Sequence, residues 1–103
     1  MFVDIKEYAM INELRRRSEI WKIVLRHLYK TNNEPTTIYK FRKLCEEQLG
    51  VNVKHSRMKH ILNTLKKWGI VNSFYIEVKN KLVWYLTDYG IEFCKKYEKE
   101  LGL

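Results

Sequence analysis

Apolar residues recur every three or four positions in four stretches of the chain, which is the spacing of helices that bury one side. The first stretch runs from Ile5 to Lys30 without Gly or Pro. It predicts either one long helix or two helices with a joint at residues 15–18. The three arginines there favour continuity, whereas Ser18 favours a helix cap. The turn residues 31–35, which include the only proline, end this stretch.

Two shorter helices follow this turn. Either Thr36 or Thr37 is suited to cap the first of them, which reaches Gly50. The second is predicted over residues 54–68, and its apolar residues are confined to one narrow stripe. The residues of that stripe are Met58, Ile61, Leu62 and Leu65.

A β-hairpin is predicted next, because two runs rich in aromatic and β-branched residues cover Phe74–Val78 and Leu82–Leu86. They are separated by Lys79-Asn80-Lys81, where Asn tolerates the positive φ of a tight turn. Thr87 is suited to cap a last helix over residues 88–101. The order of elements predicts an α+β fold that is mainly α, in a single domain.

Positive charge is concentrated in one part of the chain. The sequence has 20 Lys and Arg against 12 Asp and Glu, for a net charge of +8, yet residues 48–76 contain no acidic residue. On a helical wheel, the side of the 54–68 helix opposite the apolar stripe is polar and basic. Side chains of these types read base edges in the major groove, while nearby lysines hold phosphates. The alternative is a basic helix face that is only solvated.

Three features together resemble the winged helix-turn-helix family, particularly small bacterial and archaeal regulators similar to the MarR and PadR groups. The first is the helix, turn, helix run over residues 37–68. The second is the link Leu62-x-x-Leu65-x-x-x-Gly69-Ile70-Val71 into a strand. The third is Trp84-Tyr85-Leu86-Thr87-Asp88-Tyr89-Gly90, which is similar to the family's Leu-Thr-x-x-Gly before its last helix. Small regulators of archaeal viruses and plasmids are similar in size and composition.

The resemblance implies a three-helix core, a two-stranded β wing and a C-terminal helix, with residues 54–68 as the recognition helix and 79–81 as the tip of the wing. The wing lacks the Asp-Arg pair that many MarR proteins carry there. From the recognition helix we expect base contacts by Ser56, Arg57, Lys59, His60 and Asn63. We expect phosphate contacts from Thr37, Lys54, His55, Lys67, Lys79, Asn80 and Lys81.

The first and last helices are expected to form a dimer interface, as the resemblance implies. The sequence supports this, because apolar residues from Phe2 and Val3 onward exceed what a three-helix core can cover. The expected interface residues are Tyr8, Ile11, Leu14, Tyr97 and Leu101. A homodimer would place two recognition helices about 34 Å apart on a palindromic site. The alternative is a monomer whose N-terminal segment packs on its own last helix.

Enzyme, metal and membrane functions find no support in the sequence. It contains no Gly-rich phosphate loop, no Gly-x-Ser-x-Gly and no His-Glu-x-x-His, so we expect neither catalysis nor a cofactor or metal. Cys45 and Cys94 lack the spacing of a zinc site and are expected in the core, with a disulfide between subunits or a redox switch at Cys94 as alternatives. No apolar run approaches the roughly 20 residues of a membrane span, and the N-terminus is unlike a secretory signal.

The predicted function is therefore sequence-specific binding of double-stranded DNA by a homodimeric transcriptional regulator. It would act in the cytoplasm, or in the host cytoplasm if a virus encodes it, and the short chain is expected to have no small-molecule effector. One alternative is a subunit of a transcription or replication complex that docks a protein on aromatic residues of the wing. Those residues are Phe74, Tyr75, Trp84 and Tyr85. The other alternative is nonspecific architectural binding of DNA or RNA.

Overall fold

The computed structural model describes residues 4–17 and 19–103. Within these ranges it contains five helices and one two-stranded antiparallel sheet. The elements are α1 (Ile5–Arg16), α2 (Ile20–Lys30), α3 (Ile38–Leu49), α4 (His55–Lys67), β1 (Val71–Ile76), β2 (Lys81–Leu86) and α5 (Asp88–Lys96). This is the mainly α winged helix-turn-helix fold that the sequence predicted.

The first apolar stretch forms two helices, α1 and α2, rather than one. Arg17 is in an extended conformation after α1, and its guanidinium lies 4.7 Å from the centre of the Trp21 ring in α2. In one continuous helix, Leu14 and Ile20 would lie about 120° apart around the axis. The break between the helices allows both side chains to be buried. Ser18, the predicted cap, lies outside the described residues.

The turn between α3 and α4 is fixed at both ends. The hydroxyl of Thr37 accepts a hydrogen bond from the backbone N–H of Lys40, so Thr37 and not Thr36 caps α3. Gly50 ends α3 with a φ of 66°, which a side chain would strain. Arg42 in α3 donates from Nε to the carbonyl oxygen of Val53 at 2.7 Å. This bond ties the turn to α3 immediately before α4 begins.

The strands of the hairpin have different bounds from those predicted. β1 begins at Val71, three residues earlier than expected, because Val71 pairs with Leu86 and Ile76 pairs with Lys81. The turn therefore contains residues 77–80, and Val78 is 98 % exposed within it instead of lying in a strand. Asn80 has the predicted positive φ, at 51°.

Two segments outside the hairpin hold β2 in place. Thr36 and Trp84 form a backbone bridge with N–H to oxygen distances of 2.9 and 2.8 Å. The side-chain amide of Asn33 donates to the carbonyl oxygen of Leu86 at 2.8 Å and accepts from its N–H at 2.6 Å. β2 is therefore anchored to the segment that leads into α3.

Thr87 caps α5 as predicted, through a 2.9 Å bond from the N–H of Gly90 to its hydroxyl. The helix ends at Lys96 and not at residue 101, since residues 97–102 form turns. A Cβ atom on Gly90 would collide with the carbonyl oxygen of Ile70. Only glycine lets α5 approach the start of β1 so closely.

The core contains most of the residues that we expected in a dimer interface. Ile11, Leu14, Tyr97 and Leu101 are each at most 4 % exposed within the chain itself, and only Tyr8 is exposed. These four side chains are thus covered by the chain's own packing, without a partner subunit. Phe2 and Val3 lie outside the described residues.

Glu7 joins α1 to α5 through three hydrogen bonds. Its carboxylate accepts 2.9 Å bonds from the Tyr89 hydroxyl, the Tyr97 hydroxyl and the Lys96 ammonium. Burial by itself would raise the pKa of Glu7, but these donors outweigh that effect and hold the pKa below its ordinary value. The carboxylate is therefore more stable in its charged form within the fold.

Both cysteines are buried free thiols, as expected for core residues. Burial raises the pKa of Cys45, and it raises the pKa of Cys94 to about 12. A thiol held in this protonated form is a poor nucleophile, which disfavours the redox switch at Cys94.

No helix within residues 4–17 and 19–103 is long and apolar enough to cross a membrane.

Gly90→Ala should destabilise the protein by about 2 kcal/mol, because the new methyl group must displace either α5 or the Ile70 backbone. Thermal unfolding should show a midpoint lower by roughly 10 °C for a chain of this size. Gly50→Asn is the control, since that site is open and Asn tolerates a left-handed conformation. Equal effects of the two substitutions would contradict the close contact.

Glu7→Gln should cost about 2 kcal/mol at pH 7, since it replaces a charged acceptor of three hydrogen bonds. The folded pKa of Glu7 is lowered, so its stabilisation is present above the unfolded pKa and is lost as pH falls through the folded value. Urea unfolding of both proteins between pH 7 and pH 3 should therefore converge towards acid. A constant difference over this range would mean that the charge of Glu7 contributes nothing.

Candidate nucleic-acid interface

Helix α4 has one buried side and one exposed side. The predicted stripe is confirmed, since Met58, Ile61, Leu62 and Leu65 are all at most 3 % exposed. The side opposite the stripe faces solvent, as the helical wheel predicted. The exposed residues of α4 are His55, Ser56, Arg57, Lys59, His60, Asn63, Lys66 and Lys67.

Among the residues that the structure describes, the cations on this face have no acidic partners. Within the described part of the chain, the ion pairs are Arg17–Glu13, Lys22–Glu19, Lys95–Glu92 and Lys96–Glu7. None of these pairs involves α4 or the hairpin. Lys66 is engaged differently, because its ammonium donates to the Ser73 hydroxyl at 3.1 Å. The remaining charges of α4 are available to a polyanion.

Four of the predicted contact residues meet at one cleft between α3, α4 and β2. Its volume is about 460 Å³. Thr37 contributes from the N-terminal end of α3, His55 and Lys59 from adjacent turns of α4, and Lys81 from the first position of β2. These side chains are far apart in the sequence, and the fold brings them together.

Other predicted contact residues lie outside this cleft. Ser56, Arg57, His60, Asn63 and Lys67 belong to the exposed face of α4, and Lys54 immediately precedes the helix. Lys79 and Asn80 are exposed in the hairpin turn, where Glu77 adds a negative charge. The predicted residues therefore form three groups: one in the cleft, one on and just before the exposed face of α4, and one in the hairpin turn.

Sequence reasoning missed four of the eight residues that line the cleft, and two of these four, Tyr39 and Arg42, carry polar groups. Tyr39 is 70 % exposed and lies off the apolar side of α3, which is an unusual place for a large aromatic ring. The position of Tyr39 off the apolar side of the helix could therefore have been recognised from the sequence. Arg42 had no signal of its own, because its role depends on the contact with Val53.

Two solved structures share this fold. A mutant of ZitR from Lactococcus lactis matches with a TM-score of 0.60 at 15% identity, over 82% of this chain and 52% of that one. This chain thus spans about half the length of the ZitR chain, and the likeness concerns the fold alone. TA0346 from Thermoplasma acidophilum matches with a TM-score of 0.63 at 26% identity, over 81% of this chain and 80% of that one.

No protein-family model matches the sequence, and no curated protein matches it significantly. TA0346 is described as a transcriptional regulator, a role that is itself inferred, and not as an enzyme. The structural likeness therefore favours a regulator with a winged helix-turn-helix fold.

Proposed function

We propose that this protein is a transcriptional regulator that binds double-stranded DNA, with α4 in the major groove. The observation that carries the proposal is the exposed face of α4, which has cations and hydrogen-bonding side chains but no acidic partner within residues 4–17 and 19–103. A helix of this size fits the major groove, and unpaired cations attract phosphates. The regulator neighbour TA0346 gives independent support.

The residues divide into two roles in this proposal. Ser56, Arg57, Lys59, His60 and Asn63 read base edges, because their side chains offer donors and acceptors at the surface of α4. The phosphate contacts fix the register of the protein on the duplex without reading its sequence. They comprise Thr37, Lys54, His55, Lys67, Lys79, Asn80 and Lys81.

A homodimer on a palindromic operator is part of the proposal, but its interface differs from the predicted one. The outward side of α1 exposes Ile5 and Tyr8, which the chain leaves uncovered. Two antiparallel copies of α1 would place Lys6 near Glu13 of the other subunit, so their charges would be complementary. We propose this helix face, in place of the buried Ile11 and Leu14, as the contact between subunits.

Membership of the MarR or PadR groups and a cytoplasmic site of action belong to the same proposal. They rest on the sequence features given above. The rival role in protein docking loses one of its residues, because Trp84 is buried. Phe74 and Tyr75 still expose a substantial part of their surface on the wing. Protein docking on the wing therefore becomes the favoured role only if the protein does not bind DNA.

Selection of bound duplexes from a random library, followed by fluorescence anisotropy at several salt concentrations, tests the proposal. We expect a palindromic motif and a steep loss of affinity with salt. Tight binding without a motif would indicate an architectural protein. Absence of any salt-dependent binding would contradict the proposal and favour protein docking on the wing.

Asn63→Ala and Lys67→Gln should weaken binding in different ways. Loss of a base contact should reduce affinity for the selected site by roughly tenfold to a hundredfold and relax one base pair in each half-site. Loss of a phosphate contact should weaken all duplexes similarly and lower the salt slope by about one per subunit. Lys99→Gln is the charge-matched control, because Lys99 lies in the turns after α5. Identical behaviour of the first two variants would overturn the assigned roles.

A further inference from the structure

The cleft between α3, α4 and β2 is larger than a phosphate contact requires. Its volume of about 460 Å³ lies within the range of roughly 300–1,000 Å³ that is typical of small-molecule sites. A phosphate group of a duplex passing its mouth would occupy only a small part of this space. The cleft therefore has room for an organic molecule of moderate size.

The walls of the cleft are of two chemical kinds. Ile38 and Leu82 provide an apolar surface, and the exposed ring of Tyr39 stands beside them. An aromatic ring next to an apolar wall suits a flat, weakly polar group, because such a group can stack on the ring. This part of the cleft matches a nucleobase better than it matches a flexible chain.

The remaining walls are basic. Arg42, His55, Lys59 and Lys81 line the cleft, and among the described residues that line it none carries a carboxylate. The Arg42 side chain is held by its bond to the carbonyl oxygen of Val53, so its guanidinium is already ordered. Three permanent cations and a histidine match a doubly charged phosphate better than a single carboxylate.

We propose that this cleft binds a nucleoside monophosphate, with the base against Tyr39 and the phosphate among the four basic residues. Because Thr37, His55 and Lys81 are also assigned to DNA phosphates, and Lys59 to a base edge, the bound nucleotide and the duplex exclude one another. This second part rests on the proposed function, whereas binding of the nucleotide does not. The nucleotide would act as an effector, contrary to the expectation from the sequence.

Isothermal titration calorimetry without DNA tests the site itself, with adenosine 5′-monophosphate (AMP), adenosine and inorganic phosphate as probes. AMP should bind at least about tenfold more tightly than either of its halves, since only the whole molecule uses both walls. Equal affinities for AMP and phosphate would overturn the proposal, because they would reveal a basic surface without a base site. Absence of AMP binding would also overturn it.

Two variants and their matched controls locate the bound nucleotide. Tyr39→Ala should weaken AMP binding by about tenfold through loss of stacking, and Lys59→Gln should weaken it by a similar factor. Phe74→Ala removes a partly exposed ring on the opposite face of the hairpin, and Lys99→Gln removes an exposed charge after α5, so both should leave AMP affinity unchanged. Because Tyr39 is mostly exposed, its removal should preserve the thermal unfolding midpoint. Equal losses in variants and controls would place the ligand elsewhere.

Competition separates the two proposals. AMP added to a complex with the selected duplex should release the DNA, and the duplex should raise the apparent dissociation constant of AMP in proportion to the concentration of free duplex, as mutual exclusion requires. Binding of both ligands together would overturn the shared site. If AMP binds but no duplex does, the proposed function fails and the nucleotide site stands. If only a duplex with an unpaired 5′-phosphorylated nucleotide binds, the cleft recognises strand ends and the free-nucleotide proposal fails.

Discussion

The burial of one narrow stripe of α4 determines what the rest of this helix can do. Met58, Ile61, Leu62 and Leu65 are almost completely buried, and each stabilises the fold by roughly 1.5–3 kcal/mol through burial. Rotating the helix about its axis would expose these side chains and bury charged ones, which is far more costly. The basic side of α4 must therefore face solvent. The surface that we propose for DNA binding is a direct consequence of how the core is packed.

The cleft depends on contacts that are remote from α4 in the sequence. Its third wall is the start of β2, and β2 is held by the Thr36 bridge and by the side chain of Asn33. The close approach of Gly90 to Ile70 fixes α5 at the beginning of the hairpin. Through these anchors, Lys81 is kept opposite His55 and Lys59. The same packing that stabilises the wing thus builds both the DNA face and the small-molecule cleft that we propose.

Local features were predictable because they depend on short-range spacing. The cap Thr87, a cap of α3 at either Thr36 or Thr37, the end of α3 at Gly50 and the apolar stripe of α4 all follow from residues within one or two helical turns. The charge of the exposed face followed from the absence of acids in residues 48–76.

Features that depend on long-range contacts were not predictable in the same way. The register of β1 is set by its pairing with β2, so propensity alone placed the strand too late. A helical wheel shows that Ile11 and Leu14 lie on the apolar side of their helix. It does not show whether a partner subunit or the same chain covers that side. The cleft required three elements to meet, and Arg42 joined it through a contact that no local pattern encodes.

The central claim is that DNA lies against α4 and the adjoining cleft. Amide chemical shifts of the labelled protein, followed while a duplex from the selection is added, test it most directly. The account predicts that the largest changes fall on exposed residues of α4 and on Thr37, Tyr39 and Lys81, with little change along α1 and α5. Changes confined to the outer face of the wing around Phe74, with α4 unaffected, would contradict it.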